Sequence, residues 1–192
     1  MPNSASTPTS TPSTPTSSDR LVVAAAVLRP VVRLPDPVLG RPARPVDAVD
    51  DAVRRLCDDL VETMYASPAC VGLAANQVGD DRRVCCVDVT GHRKADSCHG
   101  LIVLVNPVLV DARDAEIARE GCMSVPDLTG DVGRARQIVV RGLDRDGRGC
   151  TVEANAFEAR ALQHELDHLD GLLFLDRVRA AGLAVHARKR YR

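Results

Sequence analysis

Residues 155–171 read NAFEARALQHELDHLDG, and this stretch decides how the rest of the chain is interpreted. Asn155 is a suitable N-cap with Glu158 three residues later, and Asp170 followed by Gly171 ends the pattern. The leucines at positions 162, 166 and 169 share one face at helical spacing. The stretch therefore predicts a helix.

The predicted helix contains the pattern His-Glu-x-x-His, at His164, Glu165 and His168. Residues four apart project from one face of a helix, so both imidazoles can bind one metal ion, with the carboxylate of Glu165 beside the first ligand. A motif this short also occurs by chance on solvated helices, so its context decides. Phe157 and Ala161 lie on the same stripe as the two histidines, which therefore border an apolar pocket.

A catalytic metal needs a third protein ligand and one open coordination position. No Glu follows Glu165, and Phe174 stands where an extended motif would have a third His, so both familiar downstream ligands are excluded. The ligand must lie upstream or be an unusual Asp such as Asp170. Cys122 is an upstream candidate, because its neighbours in the sequence EGCMSVP are poor surroundings for a core cysteine. A thiolate with two imidazoles suits zinc or ferrous iron.

Two further segments have weaker signals. His92, Cys98 and His99 could form a second metal site, but their spacing matches no standard zinc finger. Residues 70–79 read CVGLAANQVG, with mainly small side chains that allow close approach of another backbone. Taken alone, the second segment is better explained by a tight helix packed on a sheet.

Composition limits the classes of function. The 192 residues suit one domain, and a formal net charge of -1 gives no general affinity for nucleic acid. Two Tyr, two Phe and no Trp leave almost no platform for base stacking, so we expect no DNA partner. The longest apolar run, residues 21–28, is far shorter than the roughly 20 residues that cross a bilayer. We interpret it as a buried strand and expect no contact with a membrane.

The seven cysteines are an odd number and follow no disulfide framework. They favour a reducing compartment, so we expect a cytoplasmic protein.

The chain divides into three parts by composition. Residues 1–18 contain six Ser, five Thr and four Pro and predict a disordered tail. Residues 19–178 form the predicted domain, and residues 179–192 form a basic C-terminal tail. The tail either docks near ribosomal RNA or is simply solvated.

The order of predicted elements indicates the fold class. Apolar positions between Val49 and Met64 predict a helix of about five turns with Asp47 as N-cap. Short apolar runs at residues 84–89, 101–105 and 138–143 predict strands. Helix, strands and helix without regular alternation indicate an α+β fold, with mostly antiparallel sheets packed around the metal-binding helix.

With segments 70–79, 120–126 and 163–168 in this order, the sequence resembles peptide deformylase over roughly residues 21–178. The resemblance implies a metal bound by Cys122, His164 and His168, with ferrous iron as the natural ion and zinc or another divalent metal possible in its place. It implies Glu165 as the acid and base, and Gln77 with the backbone N–H of Met123 as oxyanion donors.

The implied substrate is the N-terminal formylmethionine of newly made polypeptides, and formate is released. Val71, Met123, Phe157 and Ala161 are candidate walls for the methionine side chain, while Gly72 and Glu120 meet the peptide backbone. The ribosome is a further implied partner of the basic tail.

Two alternatives remain open at this point. A general metallopeptidase would cleave unformylated peptides. A non-catalytic or altered-specificity paralogue is suggested by Cys70, where the family usually has Gly.

Overall fold

The computed structural model describes residues 25–96 and 98–189. One helix comes before the main run of strands, and two helices and a short strand follow it. The helices are α1 (Asp51–Ala66), α2 (Ala156–Leu169) and α3 (Phe174–Ala181), with 3₁₀ turns at Pro37–Gly40 and Ala75–Val78. The strands are β1 (Gly72–Ala74), β2 (Val84–Val87), β3 (Ile102–Cys122), β4 (Val125–Leu143), β5 (Gly149–Asn155) and β6 (Val185–Ala187). The predicted tail at residues 1–18 lies outside the described residues.

The six strands form one antiparallel sheet in the order β1-β2-β3-β4-β5, with β6 paired to β4. Side chains alternate along β2, because successive residues of a strand point to opposite faces. Cys85 and Val87 pack with α2 on one face, whereas Val84 and Cys86 pack with α1 on the other. The predicted α+β fold around helix α2 is confirmed.

Helix α1 begins one turn later than its sequence pattern suggests. Asp50, not Asp47, is the N-cap, and its side chain accepts a hydrogen bond from the N–H of Val53 at 2.9 Å. Leu56 and Leu60 on its inner face are fully buried. The carboxylate of Asp50 satisfies an N–H that the first helical turn leaves unpaired.

Strand β3 is much longer than predicted. The sequence Asn106-Pro107 suggests an end at residue 105, yet β3 continues past it to Cys122 and pairs with β4 along most of its length. A register shift between Val105 and Val108 accommodates the proline, which has no N–H to donate. The side chain of Asn106 binds both backbone groups of Val46 at 2.8 Å and anchors the shift.

The prediction of a buried strand at residues 21–28 is wrong for its described part. Residues 25–28 form no strand, and Val27 and Leu28 are 62% and 61% exposed. This segment is held instead by Asp59 on α1, which accepts hydrogen bonds from the N–H of Val27 and the side chain of Arg29. Residues 21–24 lie outside the described residues.

The chain after α2 folds back onto the sheet. Helix α3 ends at Gly182, whose positive φ of 64° is one that glycine adopts without strain. Strand β6 then pairs with residues 128–130 of β4. Residues 179–187 of the predicted basic tail are thus part of the folded domain, while residues 190–192 lie outside the described part.

Across residues 25–96 and 98–189, no helix has the length and apolar character needed to span a membrane.

Candidate metal centre

The three side chains proposed as metal ligands lie together. Cys122 is the last residue of β3, and His164 and His168 are one turn apart on α2. Cys122 Sγ is 3.1 Å from His168 Nε2, and the three candidate ligand atoms lie within 4.8 Å of one another. The two imidazole rings meet edge to face, with 5.0 Å between their centroids. One sulfur and two nitrogen donors form a set suited to zinc or ferrous iron.

The alternative metal-binding residues are engaged elsewhere. Asp170 forms an ion pair with Arg83 at 2.7 Å. His99 pairs with Glu158 at 2.8 Å, while His92 stacks on Phe157. Within the described part of the chain, the cluster of Cys122 and the two histidines is the one group of three or more His, Cys, Asp or Glu side chains close enough to share an ion.

The thiol of Cys122 is in surroundings that favour its ionised form. Burial raises its pKa, but the charges and hydrogen bonds of His168 and His164 outweigh burial and hold the pKa well below its ordinary value. A thiolate is the form of cysteine that binds a metal. The sulfur is therefore prepared for coordination.

Glu120 orients the first histidine. Its carboxylate accepts a hydrogen bond from His164 Nδ1 at 3.0 Å, which leaves Nε2 as the available ligand atom. Arg134 donates two hydrogen bonds to the same carboxylate, both at 2.9 Å, and Arg160 donates another at 2.9 Å. Burial opposes ionisation of Glu120, yet these partners hold its pKa well below the usual range. Partners of this kind fix the orientation of a metal ligand.

A second buried carboxylate, that of Asp167, belongs to the same network of ion pairs around Arg134. Asp167 is 4% exposed and accepts hydrogen bonds from Arg134 and Arg177. Arg134 itself is 5% exposed, so it links Glu120 to Asp167 inside the domain. A buried arginine is stable in such a place because both of its partners are anionic and geometrically matched.

Glu165 has the position expected for a proton-transferring carboxylate. It is 4% exposed, and its Oε2 atom is buried without a hydrogen-bond partner among the described residues. Burial raises the pKa of Glu165 to about 7, although the two histidines oppose the shift. Because an unpaired buried acceptor is costly, a metal ion with its solvent at the cluster would supply the missing donor. The residues present thus fit a divalent metal.

Gly72 makes room for that carboxylate. A Cβ atom built at this position would lie 2.5 Å from Glu165 Oε1, closer than real side chains approach. Any side chain at position 72 would therefore displace Glu165.

Gln77 is fixed beside the sulfur. Its Oε1 accepts a hydrogen bond from the N–H of Ala74 at 3.0 Å, and its Nε2 lies 3.5 Å from Cys122 Sγ and 3.2 Å from Ser124 Oγ. The amide NH₂ is thereby aimed at the cluster. Residues 72–78 form a short strand and a 3₁₀ turn, so the interpretation of this segment as a tight helix is wrong.

A cleft of about 470 Å³ opens onto the cluster. The residues predicted to contact substrate all line it, and they are Val71, Gly72, Glu120, Met123, Phe157 and Ala161. Cys70 also lines the cleft, where its thiol donates to the carbonyl of Gly72 at 3.0 Å. Burial raises the pKa of Cys70 to about 12, so its thiol is protonated near neutral pH.

The sequence did not reveal one wall of this cleft. The His92 ring stacks on Phe157 with 3.9 Å between centroids and 11° between planes, and Lys94 Nζ is 6.0 Å from the Phe157 centroid. Both residues lie in the irregular segment between β2 and β3, which has no periodicity that would have pointed to the cleft.

An α+β domain with a thiolate, two helical imidazoles and an adjacent buried carboxylate in a cleft belongs to the class of metal-dependent hydrolases. Comparisons with known proteins identify the family. The family described as polypeptide deformylase matches residues 28–183. The peptide deformylase of Syntrophobacter fumaroxidans is 44% identical over 155 residues, which cover 81% of this chain and 89% of that protein. The chain belongs to the polypeptide deformylase family.

Solved structures agree with this assignment. A peptide deformylase from Ehrlichia chaffeensis in complex with actinonin is 37% identical, with a TM-score of 0.73, and the match covers 79% of this chain and 88% of that one. A class I type b peptide deformylase from Acinetobacter baumannii, with Met-Ala-Ser bound, is 32% identical. Its TM-score is 0.71, and the match covers 79% of this chain and 100% of that one.

Proposed function

We propose that this protein is a metal-dependent hydrolase that removes the formyl group from the N-terminal formylmethionine of newly synthesised polypeptides and releases formate. The observation that carries the proposal is the cluster of Cys122, His164 and His168, whose ligand atoms lie within 4.8 Å of one another. Cys122, His164 and the neighbouring Glu165 line a cleft. Membership of the deformylase family supports the reaction. The relative with Met-Ala-Ser bound supports a peptide beginning with methionine as occupant of the cleft.

In this proposal Cys122, His164 and His168 hold the metal, with Glu120 orienting His164 and Glu165 moving protons. The metal, when bound, supplies the Lewis acidity that makes water a nucleophile at neutral pH. A carboxylate oxygen of Glu165 takes the proton from the attacking water and passes it to the departing amine nitrogen. That proton is needed because an amine leaves poorly as an anion.

Two donors stabilise the negative charge that develops on the formyl oxygen. Gln77 Nε2 is one, and its orientation is fixed by the hydrogen bond from Ala74 to Gln77 Oε1. The backbone N–H of Met123, in the turn between β3 and β4, is the other. One preorganised donor of this kind is typically worth about 3 kcal/mol of transition-state stabilisation.

The cleft walls set the substrate. Val71, Met123, Phe157 and Ala161 line an apolar slot for an unbranched methionine side chain, while Gly72 and the backbone of Glu120 meet the peptide chain. The carboxylate of Glu120 takes no part in this contact, because His164 and two arginines already bind it.

We propose ferrous iron as the natural metal, with zinc or another divalent ion able to take its place. One thiolate and two imidazoles suit both ions. Metal analysis of protein purified without oxygen tests this point. Stoichiometric zinc with full activity after anaerobic purification would contradict iron.

The decisive experiment measures formate release from formyl-Met-Ala-Ser by anaerobically prepared protein and by Glu165→Gln. We expect activity in the wild type and a loss of about 10²- to 10⁴-fold in the variant, since general acid–base catalysis contributes that much. Cleavage of unformylated peptides without formate release would instead indicate a general metallopeptidase. A wild type as inactive as the variant would indicate a non-catalytic paralogue.

We place this activity in the cytoplasm. All seven cysteines are free, as expected in a reducing compartment. Immunoblotting of separated cell fractions tests the location, and recovery of the protein in an oxidising compartment would contradict it.

The ribosome is the proposed site of encounter with nascent chains. The cations of the C-terminal segment that support it include Arg179 and Lys189, whereas Arg177 already pairs with Asp167. Reversing the charge of residues 179, 190 and 192 to Glu should weaken ribosome co-sedimentation at low salt. Binding that is unchanged across a salt series would contradict docking through this segment.

A further inference from the structure

Arg188, the residue that follows strand β6, places its guanidinium in the cleft beside the metal cluster. The strand pairs with β4 so that His186 lies opposite Thr129, and the next residue but one, Arg188, donates its backbone N–H to the carbonyl of Asp127 at 2.8 Å. The side chain of Arg188 lines the cleft, and its Nη2 atom donates to the carbonyl oxygen of Cys122 at 3.4 Å. The guanidinium thus lies beside the backbone of a proposed metal ligand.

Gly121 provides the space for this guanidinium. A Cβ atom built at position 121 would overlap Arg188 Nη2. Every other residue type at this position would therefore exclude the arginine from its observed place.

Arg188 has no carboxylate partner within residues 25–96 and 98–189. Among the described residues Arg188 forms no ion pair, whereas Arg119, which also lines the cleft, pairs with Asp131 at 2.8 Å. Of the described residues that line the cleft, Glu120 and Glu165 are the acidic ones. Glu120 is fully engaged by its arginines and His164, and Glu165 lies against Gly72.

Further cations extend the positive charge along the mouth of the cleft. Lys94 lies over the Phe157 ring, and Lys189 lines the cleft next to Arg188. A mouth with these cations attracts anionic groups of an incoming peptide.

The reach of a substrate is compatible with contact to Arg188. A peptide chain advances at most about 3.6 Å per residue. With the formyl group at the metal cluster, the first two residues after the methionine lie within about 11 Å of the cluster. A side chain on a peptide that runs towards Arg188 can therefore reach the guanidinium that donates to the carbonyl of Cys122. A guanidinium binds a carboxylate with paired, charge-assisted hydrogen bonds.

We propose that Arg188 is a specificity-determining residue that binds a carboxylate side chain at the first or second position after the formylmethionine. The inference rests on the proposed deformylase activity. The enzyme therefore prefers formylated chains with Asp or Glu close to the N-terminus, and the preference resides in substrate binding, so it acts on KM more than on kcat.

The test compares four peptide amides in the metal-loaded enzyme: formyl-Met-Asp-Ala, formyl-Met-Asn-Ala, formyl-Met-Ala-Asp and formyl-Met-Ala-Asn. C-terminal amides remove the terminal carboxylate as a competing anion. We expect kcat/KM to be roughly fivefold higher for one or both Asp peptides than for the matched Asn peptide at low ionic strength, with most of the difference in KM. Higher salt should reduce that ratio, because exposed charges are screened.

Variants of Arg188 locate the effect. Arg188→Ala should bring the Asp to Asn ratio to about one, Arg188→Glu should invert it, and Arg188→Lys should retain part of it. The matched control is Arg113→Glu, which makes the same change in net charge on an exposed part of β3 outside the cleft lining and should leave the ratio unchanged.

The outcomes separate the two proposals. Formate release from the Asn peptides without any Asp preference would overturn the role of Arg188 and leave the deformylase activity intact. Absence of formate release from all four peptides would overturn the deformylase activity itself. If Arg188→Ala does not fold, Arg188→Lys and Arg113→Glu provide the test. The proposal is overturned if the Asp to Asn ratio of both variants equals that of the wild type and does not change between low and high salt.

Discussion

At the residue scale, Glu120 joins His164 to two buried arginines. We predict that Glu120→Gln lowers metal affinity by about 10- to 100-fold, because a neutral amide holds the imidazole less firmly than a carboxylate does. Titration against a chelator of known affinity measures the change. Glu116→Gln, an exposed position on the same strand, is the matched control. Equal affinities in the two variants would contradict an orienting role.

The same residue shows what a sequence can and cannot reveal about a site. The two candidate metal-binding histidines follow from their spacing on one helix, and Cys122 was a candidate from its local surroundings. Glu120 was expected to meet the substrate, because its sequence position beside Cys122 gives no sign of its partners. Arg134 and Arg160 resemble surface residues in the sequence, and only the packing of β4 against α2 makes them the buried partners of Glu120.

A second prediction at the residue scale concerns Tyr65 on α1. Its hydroxyl donates to Asp88, and this bond, together with burial and the negative charge, raises the pKa of Tyr65 to about 12. The folded pKa exceeds the ordinary value of about 10, so the stabilisation is present below pH 10 and is lost as the pH rises through about 12.

Absorbance of the phenolate measures this pKa in a Tyr191→Phe background, where Tyr65 is the remaining tyrosine. Asp88→Asn should lower the midpoint towards 10, and Glu62→Gln should change it less, since Glu62 contributes only a weaker charge effect. An unchanged midpoint in Asp88→Asn would show that the hydrogen bond is absent in solution.

At the element scale, the packing of α3 on β4 depends on Gly130. A Cβ atom there would lie 2.7 Å from Val178 Cγ2 and 2.9 Å from the Phe174 ring. We predict that Gly130→Ala destabilises the protein by about 1–3 kcal/mol, the usual cost of overpacking a core. Gly133→Ala on the same strand is the control, because a Cβ there meets nothing within 4 Å. Denaturant midpoints compare the two, and equal midpoints would contradict the packing argument.

The secondary-structure elements differ in how well their sequence patterns predict them. Helix α2 has periodic leucines, and the predicted helix at residues 155–169 is confirmed as Ala156–Leu169. The expected cap is not formed, because Asn155 makes no side-chain capping hydrogen bond and Glu158 binds His99 instead. The long pairing of β3 with β4 was not predicted. Many β3 residues between 108 and 119 are exposed, so the alternation of polar and apolar residues that signals a strand is missing there. The pairing depends on backbone hydrogen bonds and a bulge rather than on a buried face.

At the scale of the whole molecule, we expect metal binding at the cluster to be coupled to the stability of the fold. The cluster joins the end of β3 to α2, so an ion bound there stabilises the folded state and not the unfolded chain. We predict that a chelator lowers the melting temperature by about 5–10 °C, from a linkage energy of about 2.7 kcal/mol at a hundredfold excess of metal over Kd. Differential scanning calorimetry measures the shift. Cys122→Ala is the control, and an equal response in that variant would place the chelator effect elsewhere.

The position of β6 has a practical consequence for work with this enzyme. Residue 189 lines the cleft. A polypeptide fused directly after Lys189 would therefore begin within about 3.6 Å of the entrance through which substrates arrive. Purification handles and fluorescent reporters attached at that end would obstruct turnover without disturbing the catalytic groups, so a kinetic defect in such a fusion would not report on the enzyme itself.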